Sequence, residues 1–161
     1  MKVFRAFDRK QLSEVDEDNE QSLERKLNAA ASAFAHRHSW LKPYQRIEIL
    51  RKLAQLMEGK RDHLACQIAS EGGKPLTDAF VETDRAIDGV RNAIEILRTT
   101  GGREIPMGIT PASDGRWAFT VREPIGVVAA VSAFNHPLNL IVHQVVPAIA
   151  VACPKSGARH S

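Results

Sequence analysis

The loop after a β-branched run near the carboxyl end of the chain carries the residue best suited to chemistry, Asn135. Its side-chain amide supplies N–H donors, which can stabilise negative charge developing on an oxygen atom. The sequence Phe134-Asn135-His136-Pro137 also has the composition of a turn, in which an asparagine bonds its own backbone. From the residues alone the turn interpretation is favoured, and the hydrogen-bond donor is the alternative.

The cysteines and histidines form no recognisable reactive or metal-binding pattern. Cys66 and Cys153 are far apart and outside any Cys-x-x-Cys motif. A reactive cysteine needs an activating base, and none is evident around Cys153, so it is not assigned as a nucleophile. Cys66 falls on an apolar helix face and is expected in the core. His136 and His143 are seven residues apart without carboxylate partners, so no metal site is predicted.

Composition and charge are those of an ordinary soluble protein, with 43% hydrophobic and 25% charged residues. Two units of the net charge of +3 come from Lys155 and Arg159 in the last seven residues, so nucleic-acid binding is not expected. The amino terminus lacks the apolar segment of a secretory signal. Polar residues and a proline interrupt the apolar stretch 125–152, which argues against a membrane helix. We therefore expect a cytoplasmic protein with no nucleic-acid or membrane partner.

Apolar residues recur at helical spacing through residues 23–97, which predicts helices after a short strand at 12–15. The first helix follows an acidic cluster at residues 16–20 that complements its dipole. Pro43 opens the second, whose continuation is stopped by Gly72-Gly73. Pro75 opens the longest helix, which is predicted to end near Gly101-Gly102.

The periodicity changes after Gly102. Residues 103–106 and 117–123 are predicted to form an antiparallel strand pair. Residues 126–132 are predicted to form a strand buried on both faces, as in a parallel sheet. Residues 138–153 are predicted to form a helix with a kink or break at Pro147. A single parallel strand has no partner of its own, so this last piece is the beginning of a βαβ unit.

Residues 122–140 closely resemble a signature of the NAD(P)-dependent aldehyde dehydrogenase family. That signature is a strand entry R-x-P-x-G-V, then a strand, then a loop P-W/F-N-F/H-P. The similarity continues through residues 147–154. Upstream, Pro43-x-x-Arg46 and Glu71-Gly-Gly-Lys-Pro75 resemble the second helix of the family and its helix-connecting turn, and Phe7-Asp8 with Leu12 resembles its amino-terminal hairpin.

The resemblance implies an α/β fold: amino-terminal helices, a strand pair and the first βα unit of an incomplete Rossmann-like aldehyde dehydrogenase fold. Residues 1–18 are then an arm with a short strand, and 19–102 the helical part of the cofactor-binding domain. Residues 103–123 are the strand pair of the oligomerisation region, 124–154 the first strand–loop–helix of the dinucleotide-binding sheet, and 155–161 an unrelated tail.

The resemblance also implies a chemistry. Enzymes of this family use a cysteine thiolate to attack an aldehyde, hydride passes to NAD or NADP, and a glutamate-activated water releases the carboxylate. Asn135 matches the family's oxyanion donor. Val131, Ser132, Ala133 and Phe134 match positions beside the nicotinamide, although core packing is the alternative for the apolar ones. The intact enzyme is expected to be a homo-oligomer that acts on a small aldehyde.

The chain departs from the family at two places. Ala133 stands where the family usually has proline. After Pro154 the family continues with an apolar strand and a Lys-Pro pair, whereas this chain ends in a small, basic tail. The expectation is a protein truncated or frameshifted near Pro154, without the nucleophile and base motifs and inactive as given. The alternatives are a short non-catalytic module that associates with a full-length dehydrogenase, and a helical domain with an unrelated partner.

Overall fold

A computed structural model of the 161-residue chain describes residues 1–151. Helices dominate this part of the chain, with two small antiparallel hairpins. In chain order the elements are β1 (Lys2–Phe4), β2 (Gln11–Glu14), α1 (Glu20–Ala35), α2 (Pro43–Gly59), α3 (Arg61–Gly72), α4 (Leu76–Thr99), β3 (Glu104–Ile105), β4 (Ala118–Phe119) and α5 (Pro137–Ala150). Short 3₁₀ turns lie at Arg37–Ser39 and Pro111–Ser113.

The helix boundaries follow from local chemistry. Asn19 caps α1: the Ser22 N–H donates to Asn19 Oδ1 at 2.8 Å, and Ser22 Oγ accepts from the Asn19 N–H at 3.0 Å. Gly73 ends α3 in the left-handed conformation, with φ of 68°, which glycine adopts without steric cost. The predicted stops and starts around residues 72–76 are therefore confirmed.

The main core forms where α2, α4 and α5 meet. The apolar stripe predicted for the longest helix is buried there, since Ile87, Val90 and Ile94 are at most 7% exposed. The two helices α4 and α5 pack closely at Gly89, where an added Cβ would make an ordinary van der Waals contact of 3.5 Å with Val142 Cγ1. The buried residues of this core are Leu50, Ala54, Met57, Ala86, Ile87, Val90, Ala93, Ile94, Val142, Val146 and Ala150.

Helix α5 contains no charged residue, and a neighbouring helix supplies the cation at its carboxyl end. The Arg46 guanidinium of α2 donates to the carbonyl oxygen of Ala150 through Nη1. A cation at this end complements the helix dipole and satisfies a terminal carbonyl group. Burial lowers the pKa of Arg46 from its ordinary value. Pro147 lies inside α5 as predicted, and the helix continues past it to Ala150, so the alternative of a break at this proline is not realised.

The hairpin β3–β4 pairs Glu104 with Phe119 and Ile105 with Ala118. The predicted antiparallel pair is present, although both strands are shorter than the sequence suggested. Gly102 is required at its base, because an added Cβ would lie 2.7 Å from the carbonyl carbon of Thr120 and closer still to its oxygen.

Within residues 1–151 the predicted strand at 126–132 is present only as a single β-bridge residue, Val128. The rest of this extended segment has no regular secondary structure, and no strand of the described residues pairs with it. Gly126, Val128 and Ala130 are half-buried, whereas Ile125 and Val131 on the opposite side are exposed. A strand buried on both faces needs sheet neighbours and covering layers, and this segment has only one covered side.

Cys66 is also placed differently from the prediction, since it is exposed on α3. The buried face of that helix passes through Ala65 and Ile68, and Cys66 lies about 100° around the helix from Ala65. Cys153 and the tail 155–161 lie outside the described residues.

Candidate functional site

The candidate site is the loop 132–136, which joins the extended segment to α5. Asn135 is exposed at its centre. Among residues 1–151 the Asn135 side chain makes no hydrogen bond, while those of its neighbours Ser132 and His136 make polar contacts. The turn interpretation of Asn135 requires a bond from its side chain to nearby backbone, and the described structure contains none. Its amide donors therefore point to no internal acceptor in this part of the chain.

The entry to the loop is held by Gln144 of α5. The Val131 N–H donates to Gln144 Oε1 at 2.8 Å, and Gln144 Nε2 donates to the Val131 carbonyl oxygen at 2.8 Å. The side-chain amide thus bonds Val131 through both of its main-chain groups, as a neighbouring strand would. Ser132 Oγ also donates to the Pro137 carbonyl oxygen at 2.7 Å, which closes the loop on itself.

The exit from the loop is held by Glu82 of α4. The N–H groups of Leu138 and Asn139 donate to Glu82 Oε1 at 2.9 Å and 3.2 Å. These are the first N–H groups of α5, because Pro137 has none. His136 precedes the helix and makes no side-chain capping bond. The Glu82 carboxylate of α4 therefore caps the amino terminus of α5 in place of a side chain at the N-cap position. The helix dipole also favours negative charge at this end of α5.

The charge of Glu82 is balanced by Lys74. The Glu82 side chain is 0% exposed, and its Oε2 accepts from Lys74 Nζ at 2.5 Å. Lys74 Nζ lies 2.9 Å from His136 Nδ1, which is 3.4 Å from Glu82 Oε2. Burial raises the pKa of Glu82, but the hydrogen bonds from Lys74, Asn139 and Leu138 outweigh it, and the net pKa is lowered.

The structure brings the predicted cofactor-contacting residues together on the same loop as Asn135. Ser132 and Ala133 are exposed. Val131 and Phe134 are 79% and 92% exposed, so neither is a core residue of the described part of the chain. No cluster of three or more metal-binding side chains occurs in the described range, and none of its helices is long and apolar enough to cross a membrane.

Three supporting residues were missed from the sequence: Glu82, Lys74 and Gln144. The position of Glu82 could have been recognised from helical spacing. It lies three residues after Ala79 and four before Ala86, on the buried stripe of α4. A carboxylate at such a position must find partners. Lys74 belongs to the motif Glu71-Gly-Gly-Lys-Pro75 but gave no hint of its partner. Nothing in the sequence distinguishes Gln144 from an exposed glutamine.

Comparison with known proteins identifies the fold and the family. Residues 1–154 match the profile of the aldehyde dehydrogenase family. The 3-sulfolactaldehyde dehydrogenase of Priestia megaterium is 31% identical over 150 residues, which cover 93% of this chain and 31% of that protein. The lactaldehyde dehydrogenase of Methanocaldococcus jannaschii is 39% identical over 106 residues, 66% of this chain and 22% of that protein.

Solved structures agree with these sequence matches. Aldehyde dehydrogenase 21 from Physcomitrella patens, in complex with its product succinate, superposes with a TM-score of 0.88 at 31% identity, covering 96% of this chain and 32% of that one. The NADP complex of glyceraldehyde-3-phosphate dehydrogenase from M. jannaschii gives 0.85 at 30% identity, covering 94% and 32%. The chain spans about a third of the length of these proteins, matches their amino-terminal portion and shares its α/β fold. It belongs to the aldehyde dehydrogenase family.

Proposed function

We propose that the whole protein to which this segment contributes oxidises an aldehyde to a carboxylate with NAD or NADP, and that Asn135 stabilises the oxyanion of that reaction. The observation that carries the proposal is the loop itself. Asn135 makes no internal side-chain bond among residues 1–151, while the main chain is fixed before it at Val131 and after it at Leu138. To stabilise an oxyanion, a preorganised site needs a hydrogen-bond donor that is held in place and is not already bonded to another group of the protein.

The loop residues fit one end of a nicotinamide cofactor. Val131 and Phe134 expose apolar surface beside the polar Asn135, which suits a flat ring that must be held next to a polar reacting group. We assign Val131, Ser132, Ala133 and Phe134 to that contact. The cofactor, when bound, supplies the hydride acceptor. Asn135 donates a hydrogen bond to the aldehyde oxygen as negative charge develops on it.

The test uses a chimeric full-length enzyme in which residues 1–151 replace the corresponding segment of the P. megaterium 3-sulfolactaldehyde dehydrogenase. Turnover of 3-sulfolactaldehyde is followed through NAD(P)H absorbance. Asn135→Ala should lower kcat by on the order of a hundredfold, because the lost bond is stronger in the transition state than in the ground state. The KM for the cofactor and the melting temperature should change little.

Asn92→Ala is the matched control, since it makes the same change at an exposed position of α4. A kcat per folded molecule of Asn135→Ala within about twofold of the parent would refute the oxyanion role. A folded chimera that binds the cofactor and does not turn over would contradict the proposed activity of the segment.

We expect the isolated chain to be inactive. The second candidate function is that of a non-catalytic module that associates with a full-length dehydrogenase. Trp117 and Phe119 on the second hairpin are 85% and 73% exposed, and exposed aromatic side chains favour an association surface. We propose this hairpin as part of the oligomerisation region. Co-purification of the chain with a full-length dehydrogenase, together with no aldehyde turnover by the chain alone, would favour the module.

A further inference from the structure

We propose that Glu82 is a positioning residue, which fixes the Asn135 loop against α4 and thereby sets where the Asn135 amide lies. This assignment rests on the proposed oxyanion role of Asn135. Glu82 has no role in the chemistry itself, because its carboxylate is fully buried and all its contacts are internal.

Glu82 bonds the main chain where α5 begins. A helix that begins with proline has its first available donors at the next two residues, here Leu138 and Asn139. Both donate to the same oxygen of Glu82. Asn135 lies only three residues before Leu138, so a shift of these two bonds moves the end of the loop. Leu138 is also packed against both apolar clusters of the core, which makes the anchor point rigid.

The polar network around Glu82 also contacts His136, the residue next to Asn135. Lys74 bonds the other oxygen of Glu82 and lies within hydrogen-bond distance of His136 Nδ1. Gly73, in its left-handed conformation, turns the chain just before Lys74. The loop exit is therefore tied to the preceding helices through a side chain, His136, as well as through the backbone of α5.

Glu82→Met and Glu82→Gln differ in what they leave for the start of α5. Replacing both partners of a buried ion pair by apolar residues often costs little stability, but Glu82→Met removes only one partner and leaves the Lys74 charge uncompensated, so it should lower global stability as well. No apolar side chain accepts the N–H groups of Leu138 and Asn139, so the replacement also removes the anchor itself. Glutamine keeps one acceptor oxygen of the same reach for Leu138 and Asn139, and it loses the charge and the oxygen that accepts from Lys74. The two substitutions separate a positioning role from a contribution to stability alone.

The experiment measures backbone amide hydrogen exchange by NMR on the 161-residue chain with Glu82→Met and Glu82→Gln. Asp84→Asn is the matched control, because Asp84 is also an ion-paired carboxylate of α4 but is exposed and bonded to Arg61. In Glu82→Met the amides of Leu138 and Asn139 should exchange faster by on the order of tenfold relative to Val90 and Ile94. The Asn135 amide resonance should shift. Glu82→Gln should restore most of the protection, and Asp84→Asn should leave the loop unchanged.

Equal acceleration at Leu138, Val90 and Ile94 would overturn the proposal, since it would mean that Glu82 contributes only to global stability. Failure of glutamine to rescue the exchange of Leu138 would also count against it. In the chimeric enzyme Glu82→Met should lower kcat without raising the KM for the cofactor, and Glu82→Gln should recover most of kcat. If Asn135→Ala leaves kcat normal, the oxyanion proposal fails. The hydrogen-exchange experiment still tests whether Glu82 fixes the loop. If Asn135→Ala abolishes turnover and Glu82→Met leaves the loop unchanged, only the positioning proposal fails.

Discussion

Two side chains from different helices, Gln144 of α5 and Glu82 of α4, hold the main chain on either side of Asn135. Gln144 bonds Val131 before the loop, and Glu82 bonds Leu138 and Asn139 after it. They differ in burial, since the glutamine bonds are exposed and the glutamate is enclosed. Because exposed hydrogen bonds compete with water, the two ends of the loop should respond differently to substitution and to pH.

Gln144→Glu should release the entry to the loop. The carboxylate still accepts the Val131 N–H but cannot donate to the Val131 carbonyl oxygen, which it repels instead. We expect a loss of about 1 kcal/mol in local stability, measured as faster exchange of the Val131 amide. Gln55→Glu, an exposed position of α2, controls for the added negative charge. Unchanged exchange at Val131 would show that the two bonds do not hold the segment.

Acidification should weaken the exit of the loop. The folded-state pKa of Glu82 is lowered: burial raises it, but the bonds from Lys74, Asn139 and Leu138 prevail. The stability contributed by the ionised group is therefore complete above its ordinary pKa of 4.5 and is lost as the pH falls below that value through the folded pKa. The difference in unfolding free energy between the parent chain and Glu82→Gln should shrink from about pH 4.5 downward.

Chemical denaturation from about pH 7 to about pH 3 measures this difference directly. Asp84→Asn is a useful comparison, because the hydrogen bond from Arg61 lowers the pKa of Asp84 at an exposed site. Solvent screening should make its contribution small. A difference between the parent and Glu82→Gln that persists unchanged at the lowest pH would contradict the assignment of the Glu82 charge.

At the scale of elements, periodicity predicted the helices because it is a local property. The stripe of Thr83, Ile87 and Val90 is buried, as its spacing required. The partner of Glu82 was not predictable in the same way, since Leu138 reaches it only through the packing of α5 on α4. The strand expected at 126–132 is reduced to the Val128 bridge among the described residues for a related reason: a strand is defined by its neighbours, and no described strand pairs with it.

Gly102→Ala should disrupt the second hairpin, because the new Cβ meets the Thr120 carbonyl group. The hairpin base is held by the Thr120 N–H donating to the Arg103 carbonyl oxygen at 2.8 Å and the Arg103 N–H donating to Thr120 Oγ1 at 2.9 Å. Exchange of the Thr120 amide should accelerate by roughly tenfold or more. Gly101→Ala is the matched control, since nothing lies within 4 Å of a Cβ there. Equal exchange in the two variants would show that the hairpin adjusts to the side chain.

At the scale of the whole molecule, the described residues divide into a packed helical core and an uncovered apolar edge. The core is closed around α2, α4 and α5. We use the word edge for the most exposed apolar side chains that follow α4 in the sequence: Ile109, Trp117, Phe119, Val121, Ile125, Val131 and Phe134. Exposed apolar side chains of this kind favour association with another surface.

The isolated chain should therefore associate with itself through this edge. Burial of apolar surface stabilises association by about 25 cal/mol per Å². Sedimentation velocity should show concentration-dependent species larger than the 17.8 kDa chain, with binding of a hydrophobic dye. The double substitution Trp117→Ser with Phe119→Thr should reduce both signals. Phe7→Ser is the control, because Phe7 is 95% exposed on the separate amino-terminal hairpin. A monodisperse monomer without dye binding would refute the prediction, and an equal effect of Phe7→Ser would show that association is non-specific.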